Sequence, residues 1–478
     1  MGPAAQGAGH AVLPRYPDGR GGGGAGAALQ AGLGGRRKEA ENEPYRKLRR
    51  RSSIDAGGVS TRDVFMRANS WRFICSRMVP AAGAGGFAAP RGRRARRILH
   101  CVMAWSAAAP LFAGQAASAP STTRPGASAD WPMFRGNSLL TGVATSTLPE
   151  KLEVRWRFET GELVQSSAAI VEGVVYVGCD DGKLYALDLK TGSARWKFDT
   201  KSAIKSSPTV YEGLVLFGDD DGVLHAVRAR DGSEKWSFKT EAEIAASVNC
   251  KGDRLVFGSY DGSLYCLALA DGKLLWKFST ESRIHGTSAI VDGRVLVAGC
   301  DENLHVIRLE DGTPERAVLM GGVSGCSAAM AGDRVYVGTF GNQVLAIDWK
   351  KGERVWMYEN PDRQFPYMAS AALTDRLVVI GGRDKVIHAL DRETGREVWS
   401  FQTQARVESS AVIVGERVFA GSSDGNLYEL DLATGTERWR FETGAGLIAS
   451  PAVGEGCLVV GADDGVIYCF GEKRGADR

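Results

Sequence analysis

Three ionisable side chains of different kinds, Lys205, His285 and Glu408, fall at one position of a repeat of about forty residues. The other copies carry Gln165, Ala245, Ser324, Met368 and Ile448 there. Grouped at one channel, the three could form a small polar site for a sugar or glycan. A solvated mouth with drifting side chains is the competing reading. Acidic hairpin sequences also recur, as "CDDG", "DDDG", "SYDG", "SSDG" and "ADDG". Asp before Gly stabilises such turns by local hydrogen bonding, and calcium binding lacks the DxDxD spacing. Sharing one face, these hairpins would make it acidic and able to steer a basic partner. His225, His305 and His388 stand where other copies have Tyr185, Tyr265, Tyr428 and Tyr468, so they read as packed aromatic substitutes, not metal ligands.

Of nine cysteines, seven follow residue 119, with no CxxC, no CxxCH and no adjacent pair. Scattered spacing of this kind reads as mostly buried free thiols. Cys457 and Cys469 are symmetric about Asp463, so hairpin pairing would place them opposite each other, either as two thiols or as a disulfide.

The places where the repetition breaks point to binding. In the fifth copy the acidic hairpin becomes Thr339-Phe340-Gly341-Asn342, and in the sixth Gly382-Arg383-Asp384-Lys385. Between them "NPDRQFPY" lengthens the connection and brings Arg363, Phe365 and Tyr367. Exposed aromatics mixed with arginine are enriched at interface hot spots. Phe340, Arg363, Phe365, Tyr367 and Arg383 are therefore the partner-binding candidates, with plain loop drift as the rival.

The elements that must hold these residues follow from the period. "W-x-[FY]" returns at Trp156, Trp196, Trp236, Trp276, Trp356, Trp399 and Trp439, and Arg316 replaces the tryptophan of the fourth copy. Each copy has four short strand signals, in the first "SSAAI", "VVYVG", "KLYALD" and "ARWKF", separated by turn residues. Four antiparallel strands per forty residues make a propeller blade. The chain starts its repeats with a lone Trp strand and ends them with three strands lacking one. The orphan completes the set, which predicts an all-β, eight-bladed propeller closed by an N-terminal outer strand, with no open edge. The tryptophans are structural, each spanning to a neighbouring blade. Burying one contributes roughly 4–6 kcal/mol as an upper figure.

Charge divides the chain. Residues 1–119 carry 19 Lys/Arg against 6 Asp/Glu, whereas residues 120–478 carry 40 against 50. The mildly acidic body argues against nucleic-acid binding. Residues 1–90, rich in Gly, Ala and Arg, read as a disordered basic extension ahead of a later true start such as Met78. Residues 91–119 have the order of an export signal: "RGRRARR", then the apolar Ile98–Ala113, then Ala117-Ser118-Ala119. Sixteen apolar residues interrupted by His100 and Pro110 are too short for a comfortable membrane span. Residues 120–153 form a pre-propeller segment, 154–470 the propeller and 471–478 a tail.

The motifs "LYALDLKTGSARWKF", "LYELDLATGTERWRF" and "IHALDRETGREVWSF" resemble the pyrroloquinoline-quinone (PQQ)-type propeller repeat with its tryptophan-docking motif, over residues 154–470. The lead-in "DWPMFRG" is similar to the segment preceding the propeller in secreted bacterial members. The resemblance implies one of two functions: a PQQ- and calcium-dependent alcohol dehydrogenase, or a non-catalytic BamB-like scaffold of the cell envelope. The dehydrogenase branch implies a vicinal disulfide, an indole stacked on the quinone and long capping insertions, none of which the sequence offers. The expectation is an exported, monomeric, non-enzymatic scaffold without cofactor or metal. It would bind a protein partner through top-face loops, in outer-membrane protein assembly by analogy.

Overall fold

The computed structural model describes residues 129–472. The basic extension, the export signal, the start of the pre-propeller segment and the end of the tail lie outside the described residues. Every regular element among those described is a strand, arranged as eight four-stranded antiparallel sheets. Seven blades take their strands in sequence order. The eighth joins Glu153–Glu159 to Val466–Gly471, Cys457–Gly461 and Ala452–Gly454, so the lone N-terminal strand completes the last blade.

The strands form where the sequence alternates. Second and third strands such as Val174–Gly178 and Lys183–Asp188 are apolar and buried on both faces, because each blade is packed between two others. Outer strands such as Ala194–Asp199 keep alternate residues half-buried and the rest exposed, as expected of an element with one face in water. Every outer strand carries a bulge at the residue before its tryptophan or Arg316. Bulges re-aim side chains, and here the indole is turned toward the next blade. Six of the seven indoles donate Nε1–H to a carbonyl of that blade at 2.8–3.1 Å, as Trp196 does to Ala229. Trp439 instead packs edge-on to Phe470 of the eighth blade. Arg316 reaches across in the same way, donating to the Lys351 carbonyl at 2.6 Å.

Two closed circuits, neither expected from the sequence, run around the axis. In the first, the backbone N–H of a hydroxyl residue on each innermost segment donates to the hydroxyl of the next. Ser167 donates to Ser207, that to Ser247, and so through Thr287, Ser327, Ser370, Ser410 and Ser450 back to Ser167, at 2.8–3.1 Å. Eight buried amide donors are thereby satisfied.

The second circuit is the pre-propeller segment. Residues 129–144 wind once around the bottom of the ring and bond the innermost strand of seven blades and the turn after that of the eighth. Trp131 exchanges two backbone bonds with Ile170, and the Pro132 carbonyl accepts from Val210. Ser138 accepts from Asn249 and Ile290, Leu139 from Met330 and Thr141 from Leu373. Gly142 accepts from Ile413, and Ala129 from Glu455 of the last blade. Trp131, Met133 and Leu140 are buried in the interblade core. Arg135, 1 % exposed, donates to the Ala371 and Ser410 carbonyls at 3.0 and 3.2 Å. Burial lowers its pKa to about 9.

Candidate functional site

The bore ends in a small cavity of about 140 Å3, walled at the lacing segment by Phe134 and encircled by the eight hydroxyls. Gln165, Lys205, Ala245, His285, Met368, Glu408 and Ile448 line it as expected. Gly325, not Ser324, takes the place in the fifth blade. Ser324 is fully buried and donates to the Gly338 carbonyl at 3.0 Å, one residue away from the channel position. The three polar candidates share the cavity, yet each is bonded to a hairpin, Lys205 to that of its own blade and His285 and Glu408 to that of the preceding blade. Lys205 meets Asp220 at 2.5 Å, His285 bonds the Tyr260 hydroxyl, and Glu408 takes Arg383 at 2.5 Å and Arg406 at 3.3 Å. Burial pushes His285 down to about 4, so it is neutral at physiological pH. It pushes Asp463, at the same hairpin position as Asp220, up to about 6. The mouth is thus a ring of separate polar pairs, without a convergent constellation.

The pattern-break residues divide into three. Arg363, Phe365 and Arg383 line one open groove of about 400 Å3 with Lys385 and Gln402. Arg363 donates to the Asp384 carbonyl at 2.9 Å and to Gln402 Oε1 at 2.7 Å, and Phe365 stays 49 % exposed beside them. Phe340, 37 % exposed, lies instead at the channel mouth near Gly325 and Met368. Tyr367 corrects the sequence reading. It is 1 % exposed, pressed on Gly338 and packed edge-on to His388. In other blades Ile204, Ile244, Ile284, Val407 and Leu447 fill this wedge over a strand-end glycine. The three-residue insertion moves the wedge position onto Tyr367, so its ring is core.

The cysteine reading also needs correction. Cys469 lies opposite Val459, not Cys457, so the two cysteines are diagonal neighbours on one face. Neither is bridged in the structure.

The histidines behave as packed substitutes with a polar role. Hairpin aspartates accept from the third-strand aromatic four residues on: Asp181 from Tyr185 at 2.6 Å, Asp261 from Tyr265 at 2.5 Å and Asp424 from Tyr428 at 3.0 Å. His305 and His388 make the same bond to Asp301 and Asp384, at 2.7 and 2.8 Å. His388 Nδ1 also meets Glu397 Oε2 at 2.8 Å. Burial lowers the His388 pKa, but the two carboxylates outweigh it and the net shift is upward. Its imidazolium holds Glu397 down at about 2. A histidine whose folded pKa is raised contributes stability that is complete below the unfolded value of about 6.5 and is lost as pH rises through the folded one. Wild type should therefore lose melting temperature relative to His388→Phe on going from about pH 6 to pH 9. Parallel pH profiles for the two proteins would exclude a charged His388.

Among the described residues no group of three or more His, Cys, Asp or Glu could hold a metal ion, and no helix is long and apolar enough to cross a membrane. A tricyclic quinone with a hard cation does not fit the bore: small-molecule pockets begin near about 300 Å3, and Glu408, the one carboxylate lining it, is taken by Arg383 and Arg406.

A family model described as outer membrane protein assembly factor BamB matches residues 148–250, 220–383 and 383–477. BamB from Moraxella catarrhalis superposes with a TM-score of 0.58 at 17% identity, covering 67% of this chain and 100% of that one. Quinohemoprotein alcohol dehydrogenase from Comamonas testosteroni gives 0.63 at 13% identity, covering 73% and 82%. Quinohemoprotein alcohol dehydrogenase ADH IIB of Pseudomonas putida is 33% identical over 103 residues, 19% of this chain and 15% of that protein. The chain thus spans a small part of that relative, and the structural likenesses at these identities establish the fold. With the family model covering all eight blades, the chain belongs to the family described as outer membrane protein assembly factor BamB.

Proposed function

We propose that this propeller is an exported, non-enzymatic scaffold that binds a protein partner on the face opposite the lacing segment, through the groove formed by the connection from blade five to blade six and the loops of blade six. The observation that carries the reading is the pairing of a 49 % exposed Phe365 with Arg363, Arg383 and Lys385 around one open groove. An exposed aromatic anchor beside cationic donors suits a partner segment that is apolar at its centre and acidic at its flanks. The BamB relationship supports a place in the cell envelope, and the apolar run after "RGRRARR" supports export. The narrow bore supports a non-catalytic reading, since it offers less room than a quinone needs.

The test combines capture and cofactor loading. Wild type should retain an envelope protein that an Arg363→Ala, Phe365→Ala variant loses by at least about tenfold, as hot-spot truncation predicts. Equal capture by both would remove the groove from consideration. Incubation with PQQ and calcium should give no bound quinone absorbance and no dye-linked alcohol oxidation. Turnover under those conditions would establish the dehydrogenase reading instead.

A further inference from the structure

The eighth blade holds a pair of sulfurs at the seam where the first and last strands of the propeller meet. In the strand Glu153–Glu159, Trp156 pairs with Cys469 and Val154 with Phe470, so Arg155 is the extra residue of a bulge. Its side chain folds back, and Nη1 donates to Cys457 Sγ at 3.0 Å. Cys457 and Val459 share one face of their strand by the two-residue period, and Val459 faces Cys469. Diagonal neighbours lie roughly 7–8 Å apart, so a bridge between the two sulfurs requires a small backbone movement. The neighbouring Cys469 and, after it, Arg155 hold the Cys457 thiol well below the usual thiol range in spite of its burial. Burial pushes the other buried thiols the opposite way, Cys266 to about 12, with Cys250 and Cys326 also raised.

We propose that Cys457 and Cys469 are a peroxide-oxidisable pair, with Cys457 as the attacking thiolate and Cys469 as the resolving thiol. The oxidant is hydrogen peroxide. Both cysteines are 0 % exposed, so only a reagent close to water in size reaches them through thermal opening of the blade. Cys457 sulfur attacks one peroxide oxygen, an S–O bond forms, the O–O bond breaks, and hydroxide leaves. The Cys469 sulfur then attacks the sulfenic sulfur, an S–S bond forms, the S–O bond breaks, and water leaves with the Cys469 proton. In sum, two thiols and one peroxide give one disulfide and two waters. Arg155 is a positioning residue that stabilises the thiolate and the hydrogen-bonded geometry. Oxidation removes the anion it bonds, so the seam between the first and last strands of the propeller senses the redox state.

The experiment uses the native full chain at neutral pH with a small excess of peroxide, followed by denaturation, alkylation and trypsin. Both cysteines fall on one tryptic peptide, residues 441–473. It should appear unalkylated and lighter by two hydrogens, recoverable with dithiothreitol, while the Cys250, Cys266 and Cys326 peptides alkylate fully. In Cys469→Ser, dimedone should trap a sulfenic acid at Cys457. Arg155→Gln should slow the reaction roughly tenfold and Arg155→Lys much less, in proportion to the thiolate fraction. Cys457 alkylating as completely as Cys266 after peroxide overturns the proposal, as does oxidation of Arg155→Gln at the wild-type rate. Should Arg155→Gln fail to fold, the wild-type site comparison and Arg155→Lys still decide it.

Discussion

Trp131→Ala combined with Leu140→Ala should destabilise the propeller by about 5–10 kcal/mol, from the large-to-small costs of two separate core sites. Trp131 is 2 % exposed and packs with the first and eighth blades, whereas Leu140 is 0 % exposed and packs with the fourth and fifth. They share no cluster, so their costs should add. The effect should exceed that of any surface change because the lacing segment ties all eight blades together. In a ring whose blades otherwise contact only their neighbours, it is the element that spans the circle. Urea denaturation of the double variant and both singles checks the figure and its additivity. A combined loss below about 1 kcal/mol would mean that the segment rides on a ring that is stable without it.

Gly232→Val should cost about 3–5 kcal/mol, from left-handed backbone strain together with displacement of a core indole. Gly232 has φ of 71°, and a Cβ there would stand 2.6 Å from Trp196 Cε3. The valine methyls would push the indole off the turn and break its bond to the Ala229 carbonyl, which now measures 2.9 Å. Gly252 supplies the control, with φ of 61° and open space for 4 Å around the place a Cβ would take. Gly252→Asn should change stability by less than about 1 kcal/mol, since asparagine tolerates left-handed backbone. Gly232→Asn separates the two contributions, because it relieves strain but keeps the clash. Equal stabilities for Gly232→Asn and Gly252→Asn would show that the indole does not need the glycine beneath it.

This contact accounts for a spacing visible in the sequence. A glycine stands four residues before most of the tryptophans, yet its partner is the tryptophan of the preceding blade, about forty residues earlier. Gly352 shows the same dependence, since Arg316 of the fourth blade lies over it in place of an indole. The sequence records the two halves of the contact at one local site, and only the ring separates them.

From the amino-acid order alone came the blade count, the closure by a lone first strand, the docking tryptophans and the turn role of the aspartates. These depend on a two-residue alternation and on turn chemistry, which act over a few neighbouring residues. Tertiary structure alone decided the burial of Tyr367, the diagonal placement of Cys457 and Cys469, the hydroxyl circuit and the lacing by residues 129–144. A three-residue insertion or a one-rung shift in register changes what a side chain meets without changing any local pattern. The hydroxyl every forty residues was legible as a repeat. Its bonding was not, because hydrogen bonds around an axis join residues that become neighbours only when the circle closes.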